Sequence, residues 1–328
     1  MLNCAGFMAL MLFAAQPAAA EGVLEGVVVN ATQGSTAAAG TEVVLRALVN
    51  GEFILLARTV TSAAGEFRFT GLPLDGVGPY LPGANRDEVH FPGPRVEVTA
   101  DRPYARVTIP VFDALSRPNP LLIEDHEIVI QVEPGSLRVR ETMVIDNPSA
   151  TCFVGTPSHA GGGPVTLQLG IPADFQRITF DKEAFGRRFS LINEKLVTGI
   201  PWPPGKRELA FNYVIPQEQG QRCWRRQIDL PCSHISLKVR TDCPDQLTCS
   251  LPVRGTTQEG IVHYEFRGEV LQAGDVVQLD LDGLPVPPMV VARWTALGIL
   301  LLLVIGVSIA TVGRRPRTFR SNVEVTYG

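Results

Sequence analysis

The chain of 328 residues carries 29 basic and 33 acidic side chains, a formal net charge of −4, and 45% hydrophobic residues. Segment 21–292 holds 24 of the basic and 32 of the acidic residues, a net charge of −8. This acidity excludes nucleic acid from the expected partners, because a nucleic-acid surface needs a basic patch. The length suffices for two domains with separate hydrophobic cores.

The N-terminal segment 1–20 predicts a signal peptide. An apolar run over 7–15 precedes a proline and three small residues, Ala18 to Ala20. Small residues at these positions are what a signal peptidase reads, so we expect export and cleavage after residue 20. Residues 1–3 lack Lys and Arg, and an uncleaved N-terminal anchor over 2–20 is the alternative.

The next segment, 21–116, predicts an antiparallel β-sandwich domain. Short apolar or alternating runs are separated by turn residues at regular intervals, and this pattern is typical of sandwiches. The predicted strands are 24–30, 42–49, 53–61, 66–70, 89–91, 95–99 and 106–112.

Segment 21–116 also contains three stretches that follow one another with turns between them: Gly26-Val-Val-Val-Asn30, Gly40-Thr-Glu-Val-Val-Leu45 and Thr61-Ser-Ala-Ala-Gly65-Glu-Phe67-Arg-Phe69-Thr-Gly71-Leu72-Pro73. They resemble the repeating pattern of carboxypeptidase regulatory-like domains, over about residues 22–112. The resemblance implies a transthyretin-like sandwich, with Gly65 in a tight turn and Phe67 and Phe69 on one face. It implies no activity, because such domains serve as spacers, adhesive modules or additions to catalytic domains.

A second β-rich domain is predicted over 121–284, after the stiff joint Arg117-Pro118-Asn119-Pro120. Two runs alternate like paired strands around the turn Pro134-Gly135, namely 127–132 and 137–145. Further strands are predicted at 165–170, 177–180, 208–215, 236–240, 261–267 and 276–281. The expected fold class is therefore mainly β, with two tandem antiparallel β-sandwich domains on the exported side and one C-terminal transmembrane α-helix.

The uncharged apolar run 294–312 predicts that transmembrane helix. At about 1.5 Å per residue the run spans roughly 28 Å, close to the hydrocarbon thickness of a bilayer. A core helix of this length would show a polar face, and this run has none. The prolines at 285, 287 and 288 predict a short stiff stalk over 285–293 that leads into the helix.

The tail, 313–328, predicts the orientation of the helix. Its four arginines are Arg314, Arg315, Arg317 and Arg320. By the positive-inside rule they place the tail in the cytoplasm and the β domains on the exported side. Only four of the 29 basic residues are lysine, and Ala, Gly and Pro are plentiful, which is typical of a GC-rich bacterial genome. We therefore expect a single-pass protein of the bacterial inner membrane with periplasmic domains.

Five cysteines follow the signal peptide, and four of them, Cys223, Cys232, Cys243 and Cys249, lie within 27 residues. An exported compartment is oxidising, so the pattern predicts two disulfides. The simplest pairing joins neighbours, Cys223 with Cys232 and Cys243 with Cys249. Cys152 is left over, and including it allows fifteen arrangements that the sequence leaves open. A metal site that includes His234 is the alternative, although the spacings are wider than those of zinc sites.

We predict no catalytic, cofactor-binding or metal site. The five histidines are scattered, and no serine lies in a Gly-x-Ser-x-Gly motif. The acidic stretch 124–127 is a candidate cation site, although its place at a strand entrance favours a solvated turn. Tyr80, Tyr104 and Trp202 are candidate glycan-binding aromatics, which packing explains more simply.

These observations predict a non-enzymatic, membrane-anchored, exported interaction protein. We expect an accessory or stabilising subunit of a larger respiratory, photosynthetic, transport or envelope-building complex, with other membrane subunits and lipid as partners. Gly298 and Gly306 are the candidate helix-packing positions, because small residues let transmembrane helices approach closely. The alternative is a surface module that binds carbohydrate or the cell wall.

Overall fold

The computed structural model describes residues 21–133, 135–157, 162–181, 188–216, 223–241, 247–259, 261–281 and 288–313. The predicted signal peptide and the four arginines of the tail lie outside these residues. Within them the chain is mainly β, with one long apolar helix at the C-terminal end. This much of the predicted fold class is confirmed.

The strands and the helix are numbered in chain order. The first nine strands are β1 (Gly22–Asn30), β2 (Thr36–Ala37), β3 (Glu42–Val49), β4 (Glu52–Val60), β5 (Glu66–Leu72), β6 (Tyr80–Arg86), β7 (Val89–Pro92), β8 (Tyr104–Val111) and β9 (Ala114–Leu115). The next nine are β10 (Leu122–Glu133), β11 (Ser136–Asn147), β12 (Cys152–Phe153), β13 (Thr156–Pro157), β14 (Pro164–Val165), β15 (Leu167–Gly170), β16 (Arg177–Phe180), β17 (Ser190–Ile192) and β18 (Lys195–Thr198). The last are β19 (Gly205–Pro216), β20 (Cys223–Gln227), β21 (Cys232–Thr241), β22 (Leu247–Cys249), β23 (Val253–Glu259), β24 (Ile261–Leu271) and β25 (Val276–Leu281), followed by the helix α1 (Pro288–Gly313).

The chain divides into two compact units that interleave along the sequence. Unit 1 takes its described residues from 1–120, 147–167 and 199–205, and unit 2 takes them from 121–146, 168–198 and 206–328. The first change of unit follows Pro120, beside the predicted joint. The return of two later segments to unit 1 differs from the expected division into 21–116 and 121–284. Local hydrophobic patterns do not reveal such a return, because it depends on which sheet a later strand joins.

Unit 1 contains two four-stranded sheets with one buried apolar cluster between their strands. One sheet has the order β2-β1-β5, with β8 also paired to β1, and the other has the order β4-β3-β6-β7. Leu24 and Ile109 of the first sheet and Leu45 and Tyr80 of the second are fully buried in this cluster. Removing such side chains from water stabilises the unit by about 25 cal/mol per Å² of apolar surface.

Three details of unit 1 differ from the predictions. The sequence pattern does not predict β6, because Pro82 and Gly83 are disfavoured in strands. The structure explains the glycine, because a Cβ at Gly83 would lie 2.3 Å from the His90 ring. The expected strand 95–99 is reduced to isolated bridges at Val96 and Thr99. In addition β1 and β8 pair in parallel, whereas an antiparallel sheet was expected; their long connection permits this arrangement.

The described part of unit 2 contains a seven-stranded sheet and two three-stranded sheets. The large sheet has the order β16-β19-β11-β10-β21-β24-β23, and the small sheets have the orders β15-β18-β17 and β20-β25-β22. Alternate residues of β10 and β11 are buried, including Ile128, Ile130 and Val139. The same buried positions include His126 and Glu141. The pattern of alternation therefore brings two titratable side chains into an apolar core.

The helix α1 is long and apolar enough to cross a membrane over Ala292–Ile309. It begins at Pro288, where proline is well tolerated because the first turn of a helix needs no N–H donor there. The part of the predicted stalk 285–293 that begins at Pro288 is therefore helical. Residues 285–287 lie outside the described residues.

Replacing Gly26 by Ala is expected to destabilise unit 1. A Cβ at Gly26 would lie 2.3 Å from the Val107 carbonyl oxygen and 2.7 Å from the Phe67 ring. Overpacking of this kind costs about 2–3 kcal/mol when backbone must move, measured as a fall in the free energy of unfolding of the full chain in detergent and urea. Gly163→Ala is the matched control, because its Cβ meets no atom within 4 Å. Equal losses in both variants would contradict the packing argument.

Candidate functional site

The cysteines predicted to form disulfides lie on separate strands of unit 2. Cys223 begins β20, Cys232 begins β21 and Cys249 ends β22, and all three carry free thiols. Cys223 and Cys232, which the simplest pairing would join, are both free in the structure and lie on strands of different sheets. Cys243 lies outside the described residues, and its predicted partner Cys249 carries a free thiol.

Burial keeps these three thiols protonated. Desolvation raises the pKa of Cys232 to about 11, and it also raises the pKa values of Cys223 and Cys249. The thiolate is the nucleophile and the metal ligand, so a raised pKa weakens each sulfur in both roles. The remaining cysteine, Cys152, is buried in the apolar cluster of unit 1.

The acidic stretch 124–127 does not form one site. Three of its side chains pair with separate surface partners: Glu124 with Lys206, Asp125 with His234 and Glu127 with Lys238. The fourth, His126, is buried. Because neighbouring residues of a strand point to opposite faces, the stretch cannot gather its groups around one cation. In the part of the chain that the structure describes, no three His, Cys, Asp or Glu side chains converge as metal ligands.

One group of polar and charged side chains converges in the core of unit 2, and we name it the buried ionic cluster: His126, Glu141, Tyr213, Trp224 and Arg226. The first three belong to β10, β11 and β19 of the seven-stranded sheet, and the last two belong to β20 of a three-stranded sheet. None of the five is more than 2% exposed. Two sheets of unit 2 are therefore joined by charged groups as well as by apolar packing.

Glu141 is the centre of the buried ionic cluster. Arg226 Nε donates to both of its carboxylate oxygens at 3.1 Å. The Tyr213 hydroxyl donates to Oε1 at 2.8 Å, and His126 Nε2 lies 3.0 Å from Oε2. Trp224 Nε1 in turn donates to the Tyr213 hydroxyl at 3.3 Å. An ionised carboxylate offers only acceptors, so His126 Nε2 must carry the hydrogen of its bond.

Arg226 has a second carboxylate partner. Its Nη1 donates to Asp229 Oδ2 at 2.7 Å and to the carbonyl of Gln227. Asp229 Oδ1 accepts the backbone N–H of Gly170 at 2.9 Å. The guanidinium is thus held between two carboxylates, and this arrangement fixes the orientation of its planar donor fork.

The electrostatics of the cluster keep Glu141 and Arg226 charged. Burial by itself would raise the pKa of Glu141, but the charge of Arg226 and the hydrogen bond from His126 outweigh it and lower that pKa to about 2. Burial would lower the pKa of Arg226, and the Glu141 and Asp229 carboxylates raise it instead. The pKa of Tyr213 is raised well above its usual value, by burial and by the negative charge of Glu141. Tyr213 therefore stays a neutral hydrogen-bond donor.

The cluster contains residue types that serve as acids and bases in enzymes, but solvent does not reach them. The side chains of His126, Glu141 and Arg226 are 1%, 0% and 2% exposed. A general acid or base must come within about 3 Å of the proton that it transfers, so a substrate cannot approach these groups in this fold. The chemistry that the arrangement supports is the joining of two sheets by a hydrogen-bonded ion pair.

The alternation of buried and exposed residues in β11 and β20 indicates this cluster, although a search for catalytic motifs does not find it. The buried positions of β11 are Leu137, Val139, Glu141, Met143, Ile145 and Asn147. In β20 the buried positions are Trp224 and Arg226. Opposite charges on two inward faces predict a buried ion pair, because an unpaired charge in a core costs too much free energy.

The other residues singled out from the sequence have separate positions. Gly298 and Gly306 lie in α1, where an added Cβ meets no atom within 4 Å, and Arg314, Arg315, Arg317 and Arg320 lie outside the described residues. Tyr80 and Trp202 are 0% and 1% exposed and are therefore not surface platforms for a glycan. Tyr104 is 53% exposed, and its hydroxyl donates to Glu25.

No protein-family model matches the chain, and no curated protein matches it significantly. The resemblance of residues 22–112 to carboxypeptidase regulatory-like domains therefore rests on the residues alone.

Replacing Glu141 by Gln is expected to destabilise unit 2. The amide keeps the volume of the side chain but removes its charge, so Arg226 is left buried with Asp229 as its one carboxylate partner among the described residues. Breaking a buried pair from one side costs about 3–5 kcal/mol, measured as the fall in the free energy of unfolding in urea. The control is Glu133→Gln, which breaks a surface pair with Arg138 and should cost about 1 kcal/mol or less. A loss no larger than that of the control would show that the cluster does not stabilise the fold.

The cluster also predicts acid sensitivity. The pKa of Glu141 is about 2 in the folded chain and about 4.3 in an unfolded one. Its folded pKa is depressed, so the stabilisation is complete above about pH 5 and is lost as the pH falls towards 2. We expect the free energy of unfolding to fall less steeply between pH 5 and pH 3 in Glu141→Gln/Arg226→Met than in the wild type. Identical slopes would assign the acid sensitivity to other carboxylates.

Proposed function

We propose that the chain is a membrane-anchored docking protein, an accessory subunit of a larger membrane assembly that acts by binding. In this proposal α1 holds units 1 and 2 at the bilayer surface. The observation that carries it is the surface of α1: Ala292–Ile309 is apolar, long enough to cross a bilayer, and 0% buried by the rest of the described chain. Such a surface requires a cover outside its own fold.

Lipid and neighbouring helices are the covers that suit this surface. Leu302 and Ile309 are 71% and 68% exposed, and leaving apolar surface of this extent in water costs about 25 cal/mol per Å². Arg293 and Trp294 stand directly before the most apolar stretch. Arg and Trp are typical of the membrane–water interface, where the ring and the charge both find suitable surroundings. The start of α1 therefore fits the exported interface.

The proposed orientation follows from charge. The segment before Arg293 is acidic, and the tail after the helix carries Arg314, Arg315, Arg317 and Arg320 against a single acidic residue, Glu324. Basic residues close to the end of a transmembrane helix are retained on the cytoplasmic side. We therefore place both units in the exported compartment, the periplasm of a bacterium, and the tail in the cytoplasm.

For the two units we propose the sandwich architecture. In unit 1 the two sheets bury Phe67 and Phe69 side by side, with ring centroids 5.9 Å apart. Gly65 precedes them with φ +75°, a conformation that glycine adopts readily in tight turns. These features support the relation to carboxypeptidase regulatory-like domains. Such a domain suits docking, because its sheet edges and faces are rigid surfaces for a partner.

Binding is proposed in place of catalysis because the titratable side chains of the buried ionic cluster, within the described part of the chain, are sealed from solvent. The alternative function, binding of carbohydrate or the cell wall, would depend on exposed aromatic side chains. Of the three nominated aromatics only Tyr104 is exposed. The accessory-subunit proposal is therefore the one that the observations favour.

Replacing Gly298 or Gly306 by Leu is expected to weaken the assembly and leave membrane insertion intact. Each position is open towards the described part of the chain, so we expect a larger side chain to disturb a close contact with another helix. Assembly is read as the size of the complex extracted from native membranes in mild detergent. Insertion is read as retention in the membrane fraction after a carbonate wash.

Val304→Leu is the matched control for this experiment. At 100° per residue it lies on the opposite side of α1 from the two glycines, and it also adds bulk. If the size of the complex is unchanged in both glycine variants, α1 serves as a membrane anchor and does not contact a partner helix through these positions. A wild-type chain that is monomeric in mild detergent would contradict the accessory-subunit proposal itself, and a chain absent from the membrane fraction would contradict the anchoring.

A further inference from the structure

Among the residues that the structure describes, the strand β4 is an uncovered edge of unit 1. It pairs with β3 on one side and is the last strand of its sheet. Phe53, Ile54 and Leu55 follow one another in β4 and are 50%, 41% and 45% exposed. An exposed apolar edge strand is a template for pairing with another strand, because its outer N–H and C=O groups have no partner.

The apolar residues of this edge point to both faces of the sheet. Phe53 and Leu55 stand opposite Leu48 and Arg46 of β3, and Ile54 stands opposite Ala47. Since opposite residues in an antiparallel pair share a face, Ile54 lies on the face that is buried at Ala47, and its two neighbours lie on the outer face. A partner that rests on one face would contact the side chains of that face alone. An added strand places cross-strand neighbours beside the side chains of both faces.

The turn of the hairpin determines which backbone groups are free. Asn50 and Gly51, with φ +52° and +86°, form a two-residue loop between Val49 and Glu52. Such a loop is closed by a hydrogen-bonded pair, and pairs alternate along the ladder. Phe53 and Leu55 therefore direct their N–H and C=O groups away from β3. Lipid cannot bond these groups, which argues for a strand as the occupant.

We propose that the occupant is β4 of a second copy of this chain, paired antiparallel about a two-fold axis at Ile54. In this register Phe53 of each copy stands opposite Leu55 of the other, and the two Ile54 residues face each other. The free N–H and C=O groups of Phe53 and Leu55 are then the ones that meet. Aromatic–aliphatic pairs of this kind stabilise sheets. One patch serves as its own complement, as an isologous dimer requires.

Charge and local geometry agree with this register. Glu52 of one copy stands opposite Leu56 of the other, so no like charges oppose each other across the paired stretch. Leu56 is the extra residue of a bulge between the pairs Leu45↔Ala57 and Arg46↔Leu55. A bulge interrupts the ladder and bends the strand. The paired stretch therefore ends at residue 56, before Arg58 is reached.

The contact is small, and this limits where it forms. Three apolar side chains from each copy bury far less than the roughly 1,200 Å² of a stable interface in solution. Anchoring in a membrane raises the effective concentration of one copy near another. The strength of the pairing therefore rests on the proposed membrane anchoring, whereas its register does not. We expect the dimer to form when the chain is in the membrane.

The test is a disulfide cross-link in native membranes. Ile54 and its counterpart form a non-hydrogen-bonded pair, with Cα atoms about 4.5 Å apart, within the range that a disulfide spans. Full-length Ile54→Cys, mildly oxidised before extraction, is expected to give a reducible dimer on a denaturing gel. The wild type carries the native cysteines and controls for bonds between them. Adding Phe53→Lys to Ile54→Cys is expected to abolish the dimer, because a charged lysine on an edge strand disfavours pairing with another strand.

Glu52→Cys is the matched control on the same edge. Its two copies would be separated by four residues along the strand, about 13 Å, too far for a disulfide. A dimer from both variants would indicate random collision and overturn the register. If Ile54→Cys is monomeric, or is linked to another protein, while the chain remains in the membrane fraction, the second-copy pairing fails and the anchoring stands. Loss of the chain from the membrane fraction would instead overturn the proposed function.

Discussion

The ion pair between Glu141 and Arg226 is the interaction on which unit 2 depends most. A carboxylate in an apolar core is tolerated only with a partner of opposite charge and with its lone pairs hydrogen-bonded. Here the partner comes from another sheet, and three donors, Arg226, Tyr213 and His126, satisfy the oxygens. The pair therefore fixes the register of β11 and β20, because a slip of one residue would turn each charge to the opposite face.

This cluster has an energetic cost of its own. His126 Nδ1 is buried without a hydrogen-bond partner among the described residues, and an unsatisfied polar atom in a core is destabilising. Replacing such a pair by apolar side chains is often neutral or favourable in other proteins. What the charges add in that case is specificity, since few alternative packings satisfy all of the groups at once. The core of unit 2 is accordingly stricter about register than an apolar core would be.

The exposed apolar surfaces of the chain are stabilised by contacts outside its own core. The helix α1 and the edge of β4 both expose apolar side chains that the described chain leaves uncovered. The helix satisfies its own backbone, so lipid suits it as a cover. The edge of β4 has free backbone groups, so another strand suits it better. The same hydrophobic driving force thus selects two kinds of partner, according to whether the backbone is already hydrogen-bonded.

The sequence by itself determined the β character and the apolar helix, because both depend on local periodicity. The runs at 42–49, 177–180 and 276–281 are strands in the structure, and 294–312 is helical. The strand β6 escaped prediction because Pro82 and Gly83 are unfavourable locally and are accommodated only by their neighbours. The sequence also contained the inward charges of β11 and β20, but their partnership depends on two strands about 85 residues apart.

Only the tertiary structure decided how the units interleave, which charged side chains come together, and which apolar strand is left at an edge. The return of 147–167 and 199–205 to unit 1, the separation of Cys223 from Cys232 on two sheets, and the exposure of Phe53 beside a buried core all depend on contacts between distant residues. The periodicity of a strand's sequence determines which of its faces is buried. It does not determine which strand pairs with it, because pairing depends on the packing of the whole sheet.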